Sequence, residues 1–265
     1  MKRSGWSNWL IMGLGLLYFF VPLVATFLFS LRAQKDVLSF LAYQRIFADP
    51  QFWKTLGFSL GIGAVTIVVS IALIVPTAYW IRLRLPQLRG LTETISMLPF
   101  VVPAIVLVFG LIRVFSGAPF FLTNSTIGTD VLLVAAYVVL AMPYMYRSVD
   151  TGLQSIDVRS LTEAAQSLGA GWLTILMRVI FPNLRVALLS GSFLTLATVM
   201  GEFTMASFLV GINAFGPYMS LIGQNKTYES SSLAIISFAI TWLFMGAIQW
   251  LGRGSSNEGA LAAAH

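Results

Sequence analysis

The chain has 265 residues, 57% of them apolar and only 10% charged, with 16 basic and 10 acidic side chains that give a net charge of +6. Ordinary soluble domains carry about 25% charged residues, so this composition excludes a water-soluble globular protein. Zero cysteines exclude disulfides and thiolate metal sites, and a single histidine excludes a histidine-rich metal cage or a Ser/His triad.

Four stretches free of Asp, Glu, Lys and Arg, residues 4–31, 55–81, 94–112 and 230–252, exceed the roughly 18 residues that a membrane span requires. Residues 131–146 are apolar throughout, and 186–225 are interrupted only by Glu202. The pattern predicts an all-α membrane protein with six spans, approximately 9–31, 55–81, 92–115, 130–147, 184–210 and 231–251. About 20 residues cross the roughly 30 Å hydrocarbon layer, so six spans use about 120 residues and leave no room for a soluble catalytic domain. Residues 1–254 therefore read as a single transmembrane domain. Residues 255–265 hold four alanines and two serines and end in His265, which reads as a disordered tail or a cloning scar. The first apolar run is too long for a signal-peptide core and lacks a small-residue cleavage site, so it is expected to be a retained helix.

Between the first two spans, Tyr43 and Trp53 suit a membrane interface. In the second span, Gly57 and Gly61 form a G-x-x-x-G pair with Gly63 close behind, a pattern that admits close helix packing. The third carries Pro99 and Pro103, each of which removes a backbone donor and crowds the preceding turn, so a kink is expected there; Pro22 and Pro143 are expected to act likewise. Carbonyls freed at Pro99 and Pro103 are candidates for lining a solute path, beside the simpler reading of a structural kink. In the fifth span Glu202 stands among apolar residues, where an unpaired carboxylate costs about 3 kcal/mol by insertion scales. Two readings stay open: a contact or gate for a cationic solute, or a structural pairing with Arg113, a backbone donor or a hydroxyl. Thr204 and Ser207, with Thr195 and Thr198, add polar groups to the same span.

Placing the N-terminus in the cytoplasm puts Lys2, Arg3, Arg82, Arg84, Arg89, Arg147, Arg159, Arg178, Arg185 and Arg253 inside, against Arg32, Lys35, Arg45, Lys54, Arg113 and Lys226 outside. The positive-inside rule thus favours cytoplasmic termini. These residues lie at helix ends and form no basic stripe, which argues against a nucleic-acid partner.

The longest polar segment, about residues 148–183, contains helix signals of its own. Ser160-Leu161-Thr162-Glu163 fits a capping box, with an earlier start possible in which Ser155 caps and Asp157 lies in the first turn. Gly169 is the expected left-handed terminator, and a second short helix over 172–181 meets Pro182. Here Glu163-Ala164-Ala165, three residues, Gly169, nine residues and then Val179-Ile180-Phe181-Pro182 resembles the E-A-A, three, G, nine, I-x-L-P signature of binding-protein-dependent ABC importer permeases. Val179 and Phe181 replace the usual Ile and Leu.

The resemblance implies a type I ABC importer permease fold, in which Glu163, Ala164, Ala165, Gly169 and Pro182 belong to a coupling helix that docks on a cytoplasmic ATPase. It also implies two ATPase subunits that bind ATP and Mg, a second and different permease chain, an extracytoplasmic solute-binding protein and residence in a bacterial inner membrane. This chain would itself be non-catalytic and hold no cofactor. Residues 98–104 and 201–211 resemble spermidine/putrescine-type permeases, which implies a polyamine or related small solute. Permeases for aminophosphonates, opines, iron or sugars remain alternatives. The chain lacks G-x-x-x-x-G-K-[ST], so it offers no phosphate-cradling loop of its own. An ion-coupled secondary transporter is the competing class, but it would be expected to show several intramembrane carboxylates, where only Glu202 is found.

The absence of cysteine makes the topology directly testable. A single cysteine at Ser116 should react with an impermeant thiol reagent added outside, and one at Ser160 should not; the reverse pattern would invert the orientation.

Overall fold

The computed structural model describes the backbone of residues 5–34 and 37–262 and the side chains of 9–34 and 37–247. Lys2, Arg3, Lys35 and His265, which enter the sequence reading above, lie outside the described residues. Helices follow in the order α1 (Gly5–Ser30), α2 (Leu41–Ala48), α3 (Pro50–Arg84), α4 (Arg89–Met97), α5 (Ala104–Phe115), α6 (Thr126–Gln154), α7 (Val158–Ser167), α8 (Trp172–Ile175), α9 (Phe181–Asn183), α10 (Arg185–Gly201), α11 (Thr204–Leu209), α12 (Phe215–Asn225) and α13 (Thr227–Ala262). Helix α13 runs on through Ala262, where the sequence suggests a tail.

The expected six spans are reached as four continuous helices and two bent pairs, each pair counted as one span. Among the described residues, four helices are long and apolar enough to cross a membrane, in α1, α3, α6 and α13. The other two expected spans are interrupted, the third at residues 101–103 and the fifth at Glu202 between α10 and α11, and the fifth also meets a bend at its start. Helix α4, with the 3₁₀ turn Leu98–Phe100 that follows it, meets α5 at 94°, and the run 172–183 meets α10 at 78°. The expected third span therefore breaks outright instead of kinking. Pro99 and Pro103 have no N–H to give, the Val101 and Val102 amides both turn back to the Leu98 carbonyl, and Pro103 sits extended at ψ 136° as the N-cap of α5. Pro22 and Pro143, by contrast, lie inside unbroken α1 and α6.

The chain divides into two compact units. The first comprises residues 1–55 and 218–242. Within it, α2 buries Ala42 and Ile46, Arg45 pairs at 2.9 Å with the buried Glu229, and the Tyr218 hydroxyl donates to Asp49 at 2.7 Å. Trp53 is half exposed and donates its indole N–H to the Phe47 carbonyl.

The second unit, residues 56–217 and 243–265, holds the remaining elements. Two clusters form its core. One joins the last turns of α3 (Val75, Tyr79) and α6 (Met145, Val149, Leu153) to Val158 of α7 and to Ile175, Leu176 and Ile180. The other packs Val108 of α5, Val199 of α10, and Met205 and Leu209 of α11 around Leu132, Leu133, Ala136 and Tyr137 of α6. At about 1.5 Å per residue, the 35-residue α3 and 29-residue α6 extend to about 52 and 43 Å, well past the roughly 30 Å hydrocarbon layer. Their surplus turns carry the polar segment.

Helices α6 and α10 cross at two glycines. A Cβ on Gly152 would stand 2.6 Å from the Ala187 Cβ, and one on Gly191 2.7 Å from the Met145 sulfur. Gly57 and Gly61 have open space around them, and in α3 the close approach is made at Gly63, against Leu196. Ala187 cannot turn aside, so Gly152→Val should lower stability by about 1–3 kcal/mol. Gly57→Ala should be neutral or stabilising, by up to about 1 kcal/mol, through helix propensity. Thermal unfolding of the purified protein in detergent checks both.

Candidate functional site

The polar segment is shorter than its sequence limits suggest, because residues 148–154 continue α6. Helix α7 starts earlier than the capping box would set it. Asp157 is the N-cap, accepting from the Ser160 amide at 3.1 Å and from the Ser160 hydroxyl at 2.6 Å. Those two hydrogen bonds hold the Asp157 carboxyl below its ordinary range, the hydroxyl bond contributing most. Glu163 is thereby freed from capping and pairs with Arg159 at 2.8 Å on an exposed face. The opposite face is anchored: Val158 and Thr162 are buried, and the Thr162 hydroxyl shares a buried 3.0 Å hydrogen bond with Tyr79 of α3.

Gly169 ends the helix as expected, at φ 78°. Its amide donates to Gln166 and the Ala170 amide donates to Ala165, the paired bonds of a Schellman cap. Ala164, Leu168, Trp172, Leu173 and Met177 are exposed, giving apolar side chains to the outer surface of an otherwise polar segment. The second short helix departs from the expected one: α8 passes into a π turn at Leu176–Ile180 and then into α9, with Pro182 inside α9 and the sharp bend only at Leu184. A proline without an N–H fits this loosening of the preceding turn.

Glu202 stands at the second break within an expected span, between α10 and α11 and apart from the 78° bend at Leu184. It leaves α10 in an extended conformation, and its carboxylate turns onto the first turn of α11. The Met205 amide donates to Oε1 at 2.9 Å, the Ala206 amide donates to Oε2 at 3.1 Å, and the Tyr137 hydroxyl donates to Oε2 at 3.4 Å. Arg113 is not among its hydrogen-bond partners. The Ser207 hydroxyl donates to Phe203, Thr195 to Gly191 and Thr198 to Leu194, so these hydroxyls serve their own helices. Thr204 begins α11 beside them, half-buried. Pro99 is buried and Pro103 exposed at the other break, so the two prolines and Glu202 mark two separate interruptions, both leaning on α6.

Several residues escape the sequence reading. Asp150 collects Arg89 at 2.8 Å, Arg82 at 3.7 Å and Gln154 at 2.7 Å, tying the ends of α3, α4 and α6 together. It is the single carboxylate between Val131 and Ile156, three residues after Arg147, and that is the signal that could have found it. Beside it, a cleft of about 540 Å³ opens between the Met97 to Phe100 turn, α6 and α10.

Comparison with known proteins follows from this geometry. Residues 86–255, more than half of the chain, match the family described as "Binding-protein-dependent transport system inner membrane component". The molybdenum transport system permease protein ModB of Escherichia coli (strain K12) is 27% identical over 225 residues, covering 78% of this chain and 96% of that one. The spermidine/putrescine transport system permease protein PotC of Haemophilus influenzae (strain ATCC 51907 / DSM 11121 / KW20 / Rd) is 26% identical over 249 residues, covering 91% and 94%. In fold, the chain is similar to a bacterial ABC transporter involved in the import of the acidic polysaccharide alginate, with a TM-score of 0.71 and 12% identity over 94% of each chain.

Removing the Glu202 carboxylate should expose its structural share. Glu202→Ala leaves two backbone donors unmatched, at about 1–3 kcal/mol each, whereas Glu202→Gln keeps one acceptor oxygen and should lose less. Thermal unfolding in detergent separates the two. At the other site, Asp157→Ala should speed hydrogen exchange at the Ser160 amide. In the native chain the same protection should be present above the ordinary Asp value of 3.8 and fade as pH falls through the lowered folded value.

Proposed function

We infer the role of this chain from one premise: it belongs to the family of binding-protein-dependent transport system inner membrane components. It is the permease subunit of an ATP-driven importer, non-catalytic itself, with both termini in the cytoplasm. A second permease chain completes the solute path, two ATPase subunits bind ATP and Mg and hydrolyse it, and an extracytoplasmic binding protein delivers the solute.

The observation that carries this reading is the two-faced polar segment. Its inner face is fixed to the surplus turns of α3 and α6 by Val158, Thr162, Ile175 and Ile180, while Glu163, Ala164 and the apolar Leu168 and Trp172 stand exposed. A connector between two spans has no reason to bury one side and hold apolar groups out on the other. A helix that docks in the groove of a partner has both reasons, and Glu163, Ala164, Ala165, Gly169 and Pro182 fall in this segment. An ion-coupled transporter is not favoured, because Glu202 is engaged by backbone amides.

The solute is a finer question. The resemblance of residues 98–104 and 201–211 suggests a polyamine, and PotC supports that reading by its name; ModB, named for molybdenum, is as similar. Candidate path residues are Pro99, Pro103, Thr204 and Ser207 at the two breaks, with Glu202 holding the second break in shape.

Gly169→Val tests the coupling reading. No atom crowds that position, so its effect comes from the left-handed backbone that valine rarely adopts. Glu163→Lys removes the Arg159 pair and reverses the charge on the exposed face. Both variants should reach the membrane at near-normal levels and lose ATPase co-purification and solute uptake. Full assembly and uptake in both would reduce the segment to a connector.

A further inference from the structure

The cleft beside Asp150 is lined mainly by apolar surface, and its one charged group is the exposed Arg147. Along α6, Tyr144, Arg147, Ser148 and Thr151 recur on one face, the face opposite buried Met145, Val149 and Leu153. Across from them, Asn183 and Ser190 stand at the start of α9–α10. No Asp or Glu lines the space. Asp150 is taken by Arg82, Arg89 and Gln154, and Glu202 by two amides and Tyr137. Among the described residues Arg147 has no carboxylate partner, whereas Arg159 has Glu163. Arg84, Arg178 and Arg185 also lack a carboxylate but do not line the cleft.

We propose that this cleft is an anion-accepting vestibule, in which the Arg147 guanidinium with the Ser148, Thr151 and Ser190 hydroxyls receives a small oxyanion. The reading rests on the importer role argued above and gives its solute a charge. A guanidinium presents a fork of donors that matches an oxyanion, and surrounding hydroxyls complete the shell that the fork leaves open. A polycation finds no counter-charge here and meets an uncompensated arginine. About 540 Å³ leaves room for the anion with part of its hydration. The vestibule lies between the 94° break and the start of the polar segment, with Met97 and Phe100 on one wall and Gly152 on another.

An anionic lipid headgroup carries the same chemistry as a free oxyanion, and the experiment separates the two. The full-length chain in nanodiscs of neutral phosphatidylcholine is treated with phenylglyoxal, and labelling of Arg147 and of Arg159 is read by mass spectrometry. Sulfate or molybdate should lower labelling at Arg147 several-fold and leave Arg159 unchanged, and spermidine should protect neither. In the assembled importer, Arg147→Gln should reduce uptake of labelled sulfate or molybdate at least tenfold, and Arg147→Lys should retain part of it. The proposal is overturned if neither oxyanion protects Arg147, if spermidine protects it, or if protection appears only in phosphatidylglycerol nanodiscs. Oxyanion uptake that survives Arg147→Gln overturns it equally. The labelling arm requires no ATPase, so its failure is distinct from a failure of the coupling reading, which the Gly169→Val variant reports.

Discussion

A backbone N–H or C=O that leaves water must find a partner within the protein, and this requirement shapes the second unit more than any single contact. Two departures from a straight helix in its described spans come with local answers. At the second break the Glu202 carboxylate takes the amides of Met205 and Ala206. At the first, proline removes the amides that would otherwise be stranded, and the Leu98 carbonyl collects two more. Ser125 caps α6 through the Gly128 amide, and hydroxyls along α3 and α10 donate to carbonyls one turn back. An acidic side chain in an apolar run is thus explained first by the helix it restarts.

The polar segment obeys a different constraint. It must stay attached to the transmembrane helices while keeping one face open, and α3 and α6 solve this by outlasting the bilayer. Tyr79 illustrates the economy of the arrangement, since its ring fills the cluster under α7 while its hydroxyl meets Thr162. Asp150 adds a charged tie at the same level. With side chains this densely packed, α7 is seated on the ends of two long helices and is not suspended from flexible connections.

Much of this was legible in the sequence, for physical reasons. Charge-free runs locate helices in lipid because every charge there is costly, and the runs in α1, α3, α6 and α13 fall where expected. Gly169 was legible because its left-handed backbone has few other occupants. What the sequence conceals is continuity. The charge-free run 94–112 continues across Val101 and apolar residues stand on both sides of Glu202, so 92–115 and 184–210 read as single helices although the chain turns or restarts within them. Capping was similarly ambiguous, because Ser155, Asp157 and Ser160 are all good caps. Only three-dimensional packing, with Val158 and Thr162 turned inward, selects Asp157. Close helix approach at Gly152 and Gly191 was hidden among many glycines, and the more regular Gly57 and Gly61 pair drew the eye to open space.

Both interruptions pack on the same helix, and this gives α6 its particular place. Val108 beyond the first break, and Met205 and Leu209 beyond the second, lie against Leu132, Leu133, Ala136 and Tyr137 near the start of α6. Met145, Val149 and Leu153 near its end carry α7 and α8. The helix is unbroken between these groups, and Pro143 lies inside it. A force applied at α7 therefore travels along one unbroken helix to reach the second break. The short helices beyond the breaks are the compliant parts, because α11 has six residues and too few internal hydrogen bonds to hold its shape alone. Its geometry depends on the Glu202 carboxylate and on α6, so any movement of α6 that shifts Tyr137 acts on the second break directly.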